Sequence, residues 1–201
     1  MMSQVFVSGH KSPDTDSIAA ALSYSYLKRR LGMDAVAVRA GEINKESRFA
    51  LDYFNLEEPM LVTSVARKNP EDEKQKVILV DHNESKQTID GMDDAEVLEI
   101  IDHHRFGDFE SENPIFILVR PVGCVNTVIY GLYKANHIRL SREIAGIMLS
   151  AIISDTVLFR SPTTTEEDKE TAKELAEIAG VDYEAYGMDC LLYTSDAADE
   201  L

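Results

Sequence analysis

Cysteine is nearly absent: Cys124 and Cys190 are the only two in 201 residues, and neither stands in a C-x-x-C pair or at a Cys/His spacing that would hold zinc. That excludes a disulfide framework and leaves both as reduced, structural thiols. No unbroken apolar run is long enough to cross a bilayer, so neither a membrane-spanning segment nor a membrane partner is expected. The opening Met1-Met2-Ser3-Gln4 has neither the basic region nor the apolar stretch of a secretory signal, which makes the cytoplasm the expected compartment. Basic residues are scarce as well, with 20 Lys and Arg against 36 Asp and Glu and a formal net charge of -16. Such a chain lacks the clustered cations that replace counterions along a phosphate backbone, so no nucleic-acid partner is expected. It can serve a small anionic substrate only if metal cations invert the local electrostatics. Much of the acidity simply solvates surfaces, as in Asn69-Pro70-Glu71-Asp72-Glu73-Lys74.

What is present suffices for one folded domain, with 44% hydrophobic residues to build a core. Short β-branched runs alternate with helical periodicity, which predicts an α/β fold with a mainly parallel sheet and helices on both faces. Strands are expected at 4–8, 35–38, 77–80 and 97–101, with lesser ones at 60–62 and 115–119. Helices are expected at 17–31, 46–54, 125–135, 141–154 and 166–179. The first carries Ile18, Ala21, Leu22, Ser25 and Tyr26 on its apolar stripe and ends at Gly32. Thr165 with Asp168 three residues on reads as a capping box that starts the last of them. After Tyr186 the sequence follows neither period. Residues 1–187 therefore read as one domain, and 188–201 as a non-native-looking or disordered tail of a truncated product.

Four segments rich in His and Asp fall where a strand or helix ends: Gly9-His10-Lys11-Ser12-Pro13-Asp14-Thr15-Asp16-Ser17, Val80-Asp81-His82-Asn83, Ile101-Asp102-His103-His104 and Ser154-Asp155. In open α/β sheets ligands gather at the carboxyl ends of the strands, beside a switch in strand order. A single His or Asp there is an ordinary turn former or helix cap. Three strand ends carrying them together point to a site, and the spacing His10-x-x-x-Asp14-x-Asp16 lets one loop offer an imidazole and two carboxylates to neighbouring cations. Asp155 continues the apolar stripe of Ile144, Met148, Ala151 and Ile152, so its carboxylate faces inward and needs a partner, either a salt bridge or a metal. His103 and His104 leave a strand end, where one can bind metal and the other meet substrate or support the site. His137, among polar residues near a helix end, is read as an ordinary surface residue.

At these residues the sequence resembles the DHH phosphoesterase superfamily, and within it the manganese-dependent family II inorganic pyrophosphatases. The likeness includes Ser154-Asp155-Thr156 followed by Ser161-Pro162-Thr163, and runs from about Val5 to Tyr186. The resemblance implies that His10 and Asp14 hold one manganese ion, that Asp16, His103 and Asp155 hold a second, and that Asp81 bridges them. It implies that His104 contacts the substrate phosphate and that Asp102 orients a neighbouring His. The implied reaction is hydrolysis of pyrophosphate, which arrives with magnesium, to two phosphates, with cobalt or magnesium able to replace manganese; the implied assembly is a homodimer. The segment Gly123-Cys124-Val125-Asn126-Thr127 departs from the family pattern at Val125 and Asn126. The family also has a basic carboxy-terminal domain that closes over the pyrophosphate. This chain ends where that domain would begin, so weak activity alone is expected. Two alternatives stand beside this reading: a DHH-type phosphodiesterase acting on oligonucleotides or cyclic dinucleotides, and a non-catalytic metal-binding dimerisation module.

Overall fold

The computed structural model describes residues 4–196, the side chains of 193–196 excepted. Its centre is a six-stranded, all-parallel sheet in the order β3-β2-β1-β4-β5-β6. The strands are β1 (Val5–Ser8), β2 (Ala35–Arg39), β3 (Met60–Leu61), β4 (Lys76–Val80), β5 (Glu96–Asp102) and β6 (Phe116–Val119). From β1 the chain steps outward one way to β2 and β3, and from β4 the other way to β5 and β6. The carboxyl ends of β1 and β4, which pair directly, therefore form the switch point at which such sheets leave a crevice.

Alternation along the strands sends Val5, Val7, Ile78, Val80 and Ile101 into a large core. Residues from all six helices meet them there: α1 (Thr15–Arg30), α2 (Lys45–Tyr53), α3 (Val125–Ala135), α4 (Arg142–Thr156), α5 (Glu166–Ala179) and α6 (Tyr183–Asp196). The opposite face is covered differently. Phe6, Val77, Leu79 and Ile100 pack against Val65, Ile89, Met92, Phe109 and Ile115, which lie in loops and a 3-10 turn at Met92–Asp94. The α/β sheet is as expected, but the covering of its two faces is unequal. Residues 81–95, which join β4 to β5, have no apolar repeat of helical period and form only short 3-10 turns.

Helix α1 starts where Asp14 accepts a hydrogen bond from Ser17 N at 2.9 Å, and its last turn carries Lys28, Arg29 and Arg30 beside the helix C-terminus. It is buried on more than the expected stripe: Ala19 and Ala20 are sealed, as are Tyr24 and Leu27, while Leu22 and Tyr26 are only partly covered. The small alanines let α1 lie between the sheet and α4, so both of its sides are interior. Helix α4 is the middle of the helical layer, with Ile147, Met148, Leu149, Ile152 and Ile153 all buried. Each such side chain contributes about 1.5–3 kcal/mol relative to exposure. The capping box of Thr165 and Asp168 forms as expected, and Gly180 ends α5 in the left-handed region at φ 68. The loss of periodicity after Tyr186 has a different outcome: α6 runs on through residue 187 to Asp196, and Tyr186 and Cys190 are buried in the core. A sparse seam of this kind shows no clear helical period in sequence. Residues 197–201 of the expected tail lie outside the described residues.

Candidate metal centre

The switch point gathers the four segments. His10 and Asp14 follow β1, Asp16 lies in the first turn of α1, Asp81 follows β4, and Asp102 ends β5 with His103 and His104 just beyond. Asp155 sits in the last turn of α4. Asp81 is central and almost wholly buried. Its Oδ2 is 3.4 Å from His10 Nε2, and its Oδ1 is 3.3 Å from His103 Nε2 and 3.7 Å from His104 Nδ1. His10 Nε2 is 3.5 Å from Asp14 Oδ2, and His103 Nε2 is 3.6 Å from Asp16 Oδ2.

Among the described residues, three groups could hold a cation: His10, Asp14 and Asp81; Asp16, His103 and Asp155; and Asp81, His103 and His104. Separations of 3.3–3.6 Å are long for hydrogen bonds. They suit neighbouring ligands around one cation, since bonds of about 2.1 Å place adjacent donor atoms about 3.0–3.4 Å apart. Asp81 Oδ1 is buried without a well-formed hydrogen bond, its nearest donor being His103 Nε2 at 3.3 Å, and a buried acceptor left so weakly met costs about 1–3 kcal/mol unless another partner is found. The residue also holds a left-handed backbone at φ 62, a conformation that Asp tolerates better than most side chains. A weakly met oxygen on a carboxylate between two imidazoles fits a bridging metal ligand.

The surroundings fix these side chains. His103 Nδ1 lies 3.0 Å from the Val122 carbonyl, and donation there leaves Nε2 as the lone-pair nitrogen on the carboxylate side. His104 Nδ1 lies 2.9 Å from Asp102 Oδ1, which also accepts from the backbone N–H of His103 and His104. Asn83 donates to the other Asp102 oxygen at 2.5 Å. Ser17 Oγ donates to Asp81 Oδ2 at 2.9 Å and accepts from His10 N at 3.1 Å. The same hydroxyl explains Gly9, where a Cβ would lie 2.5 Å from Ser17 Oγ. Asp16 accepts from Cys124 Sγ, Val125 N and Asn126 Nδ2 at 2.9, 2.8 and 2.6 Å.

All eight residues singled out in sequence thus converge: His10, Asp14, Asp16, Asp81, Asp102, His103, His104 and Asp155. Sequence reasoning missed the supporting shell of Ser17, Asn83, Cys124 and Asn126. Ser17 and Asn83 close two of the four segments, and Cys124 and Asn126 lie in the stretch Gly123–Thr127, but none of the four had been given a role. His137 is exposed and remote in character from the cluster.

The buried carboxylates and imidazoles shift one another's proton affinity strongly. Burial depresses His10, but the Asp14 and Asp81 carboxylates more than reverse this and raise it to about 10. Burial likewise opposes the charge on His103, and Asp81 and Asp16 hold it up at about 10. Burial, reinforced by Asp81, pushes Asp16 up to about 6. Burial and the neighbouring Asp16 push Asp155 well above the usual carboxylate range, and the two share a hydrogen bond. Asp81 goes the other way: burial would raise it, but His10 and His103 hold it low. Without metal, protons on the imidazoles and on Asp155 offset the charge that cations would otherwise offset.

The chain is 51% identical over 199 residues to a protein of Exiguobacterium sp. named "Probable manganese-dependent inorganic pyrophosphatase", an alignment covering 99% of this chain and 63% of that protein. A Bacillus licheniformis protein of the same name is 53% identical over 195 residues, covering 97% and 62%. The chain therefore spans somewhat under two thirds of the length of these curated relatives. Its structure superposes on that of a candidate family II inorganic pyrophosphatase from Methanococcus jannaschii with a TM-score of 0.85 and 43% identity, over 94% of this chain and 61% of that one. A family model described as "DHH family, N-terminal domain" matches residues 4–152, which include the whole sheet and every site residue except Asp155. The chain belongs to the DHH family.

Proposed function

We propose that this chain is the metal-binding domain of a manganese-dependent inorganic pyrophosphatase that hydrolyses pyrophosphate to two phosphates. The observation that carries the reading is the buried Asp81 carboxylate, its Oδ1 without a well-formed hydrogen bond, set between two His/Asp groups. In it, His10 and Asp14 hold one manganese ion, Asp16, His103 and Asp155 hold the other, and Asp81 binds both. Cobalt or magnesium can take these places, and a further magnesium ion accompanies the substrate. A bound pair of cations would supply an activated water and neutralise charge on the phosphoryl oxygens.

The protein's part is to hold and orient. Asp102 anchors His104 through Nδ1, which leaves Nε2 of this half-exposed ring free to donate to a phosphate oxygen. The hydrogen bond to Asp102, set against burial, raises the His104 pKa and favours that donor form. Few other cations serve the substrate here: Lys11 is paired with Asp90, and Arg105 with Glu84. In this reading the additional length of the relatives includes a basic domain that closes over the substrate.

A homodimer in the cytoplasm belongs to the same reading. Strand β6 leaves an edge unpaired, with Phe116 and Ile117 exposed on it, a surface suited to pairing with a second copy. Among the described residues, no helix is long and apolar enough to cross a membrane.

The test is phosphate release from magnesium pyrophosphate, with manganese preloaded, by the chain alone and by a fusion to the remainder of the Bacillus licheniformis relative. Loss of one preorganised donor costs about 100- to 1000-fold in rate, and a missing lid adds to that. The chain alone should therefore be slower by at least several hundred-fold, on the order set by one such donor. Hydrolysis of short oligonucleotides or cyclic dinucleotides in preference to pyrophosphate would overturn the assignment.

A further inference from the structure

Asn126 is completely buried in the first turn of α3, which is otherwise apolar at that end apart from Thr127. Its Nδ2 donates to Asp16 Oδ1 at 2.6 Å and to the Asp16 carbonyl at 3.3 Å, while its Oδ1 accepts from Ser23 Oγ at 2.9 Å. Turned over, the amide would press its oxygen against the Asp16 carboxylate, two acceptors with no proton between them, so only one orientation is compatible with its neighbours. We propose that Asn126 is a positioning residue for Asp16, and that it sets the affinity of the cation site made by Asp16, His103 and Asp155 without serving the site made by His10, Asp14 and Asp81.

The distribution of donors around Asp16 supports this. Oδ1 receives the Asn126 amide and the Cys124 thiol, together with a longer contact from Asn126 N at 3.4 Å. Oδ2 receives Val125 N and is the oxygen 3.6 Å from His103 Nε2; the hydrogen bond that Asp16 shares with Asp155 joins two ligands of the same cation site, and a cation would displace its proton. One oxygen is saturated and the other keeps a lone pair for a cation. Of these donors the backbone amides come with the helix and the thiol is a weak donor, so the Asn126 side chain is the one strong contact that a residue choice adds. By contrast, the carboxylates around His10 take no hydrogen bond from α3; Asp81 Oδ2 is held by Ser17 and Asp14 caps α1.

This inference rests on the two-ion reading, and the experiment separates the two. Manganese is titrated calorimetrically into the metal-free chain, its Asn126→Ala variant and its Ser23→Ala variant, with folding checked by circular dichroism and pairing of the ions followed by electron paramagnetic resonance. The parent should bind two ions and show a coupled manganese pair. Groups that orient ligands change metal affinity by about 10–100-fold, so Asn126→Ala should weaken one binding event by that factor and leave the other within about threefold. At one equivalent of manganese it should show an isolated-ion spectrum, and the coupled signal should need higher concentrations. Ser23→Ala, which frees the amide to turn, should weaken the same event by a smaller factor, and it carries the test if Asn126→Ala does not fold. Two unaltered binding events in folded variants would overturn the role of Asn126, as would equal weakening of both, which is what a general loss of packing would give. A parent that binds fewer than two ions would overturn the two-ion reading itself.

Discussion

Replacing Asp81 by Asn tests the bridge with little disturbance to the fold. Asn has nearly the same size, tolerates the left-handed backbone held at φ 62, and can still accept the Ser17 hydroxyl at Oδ. What it loses is a full negative charge facing His10 on one side and His103 on the other, at 3.4 and 3.3 Å. Residues that merely orient a ligand cost about 10–100-fold in metal affinity. A charged ligand common to both cations should exceed the upper end, so each affinity should fall by more than about 100-fold, or about 2.7 kcal/mol. Asp14→Asn provides the contrast, because Asp14 belongs to the group of His10 and Asp81 and not to that of Asp16, His103 and Asp155, so it should weaken chiefly one ion. The assay is manganese calorimetry together with metal content after gel filtration. An Asp81→Asn protein that kept either ion at parental affinity would refute a shared carboxylate.

In a full-length relative, the substitutions equivalent to His103→Gln and His104→Gln should differ: the first should lose bound manganese, the second should keep it and lower turnover, and equal metal loss in both would remove the distinction drawn from their different anchors. The metal-free protein should lose stability as pH rises. His10 and His103 are raised from 6.5 to about 10, so their contribution is complete below about pH 6.5 and is lost as pH passes about 10. Thermal melts in chelator across that window should show the decline, and saturating manganese, which replaces those protons, should abolish it. Gly146→Ala should lower thermal stability by about 1–3 kcal/mol with metal stoichiometry unchanged, because an added Cβ would lie 2.2 Å from the Phe54 ring; an unchanged melting temperature would show that the ring has room to move.

How much could be read beforehand depended on whether a feature was local. The strand over 77–80 and the helices over 125–135 and 166–179 carry their periods in their own residues, the last with its capping box as well, and the structure places them within a residue or two of expectation. The ligand candidates were legible because the segments that carry them follow apolar strands or an apolar helix, and the rule for strand ends brings three of those segments together. The features that escaped depend on neighbours distant in sequence. Ala19 and Ala20 are interior only because α4 lies across α1, and Asn126 has meaning only because Asp16 stands against it, 110 residues away. The second face of the sheet is closed by loops whose apolar residues, Val65, Ile89 and Phe109, are too scattered to show a period. Helix α6 was lost for the same reason: its burial rests chiefly on Tyr186 and Cys190, one turn apart, with little else to mark a seam.

The central claim is most directly tested by a crystal structure of the manganese-soaked chain, with anomalous scattering used to locate the metal. Two anomalous peaks about 3.5–4 Å apart, one beside His10 and Asp14, the other beside Asp16, His103 and Asp155, with Asp81 touching both, are the predicted result. A single peak, or two that do not share Asp81, would contradict the account.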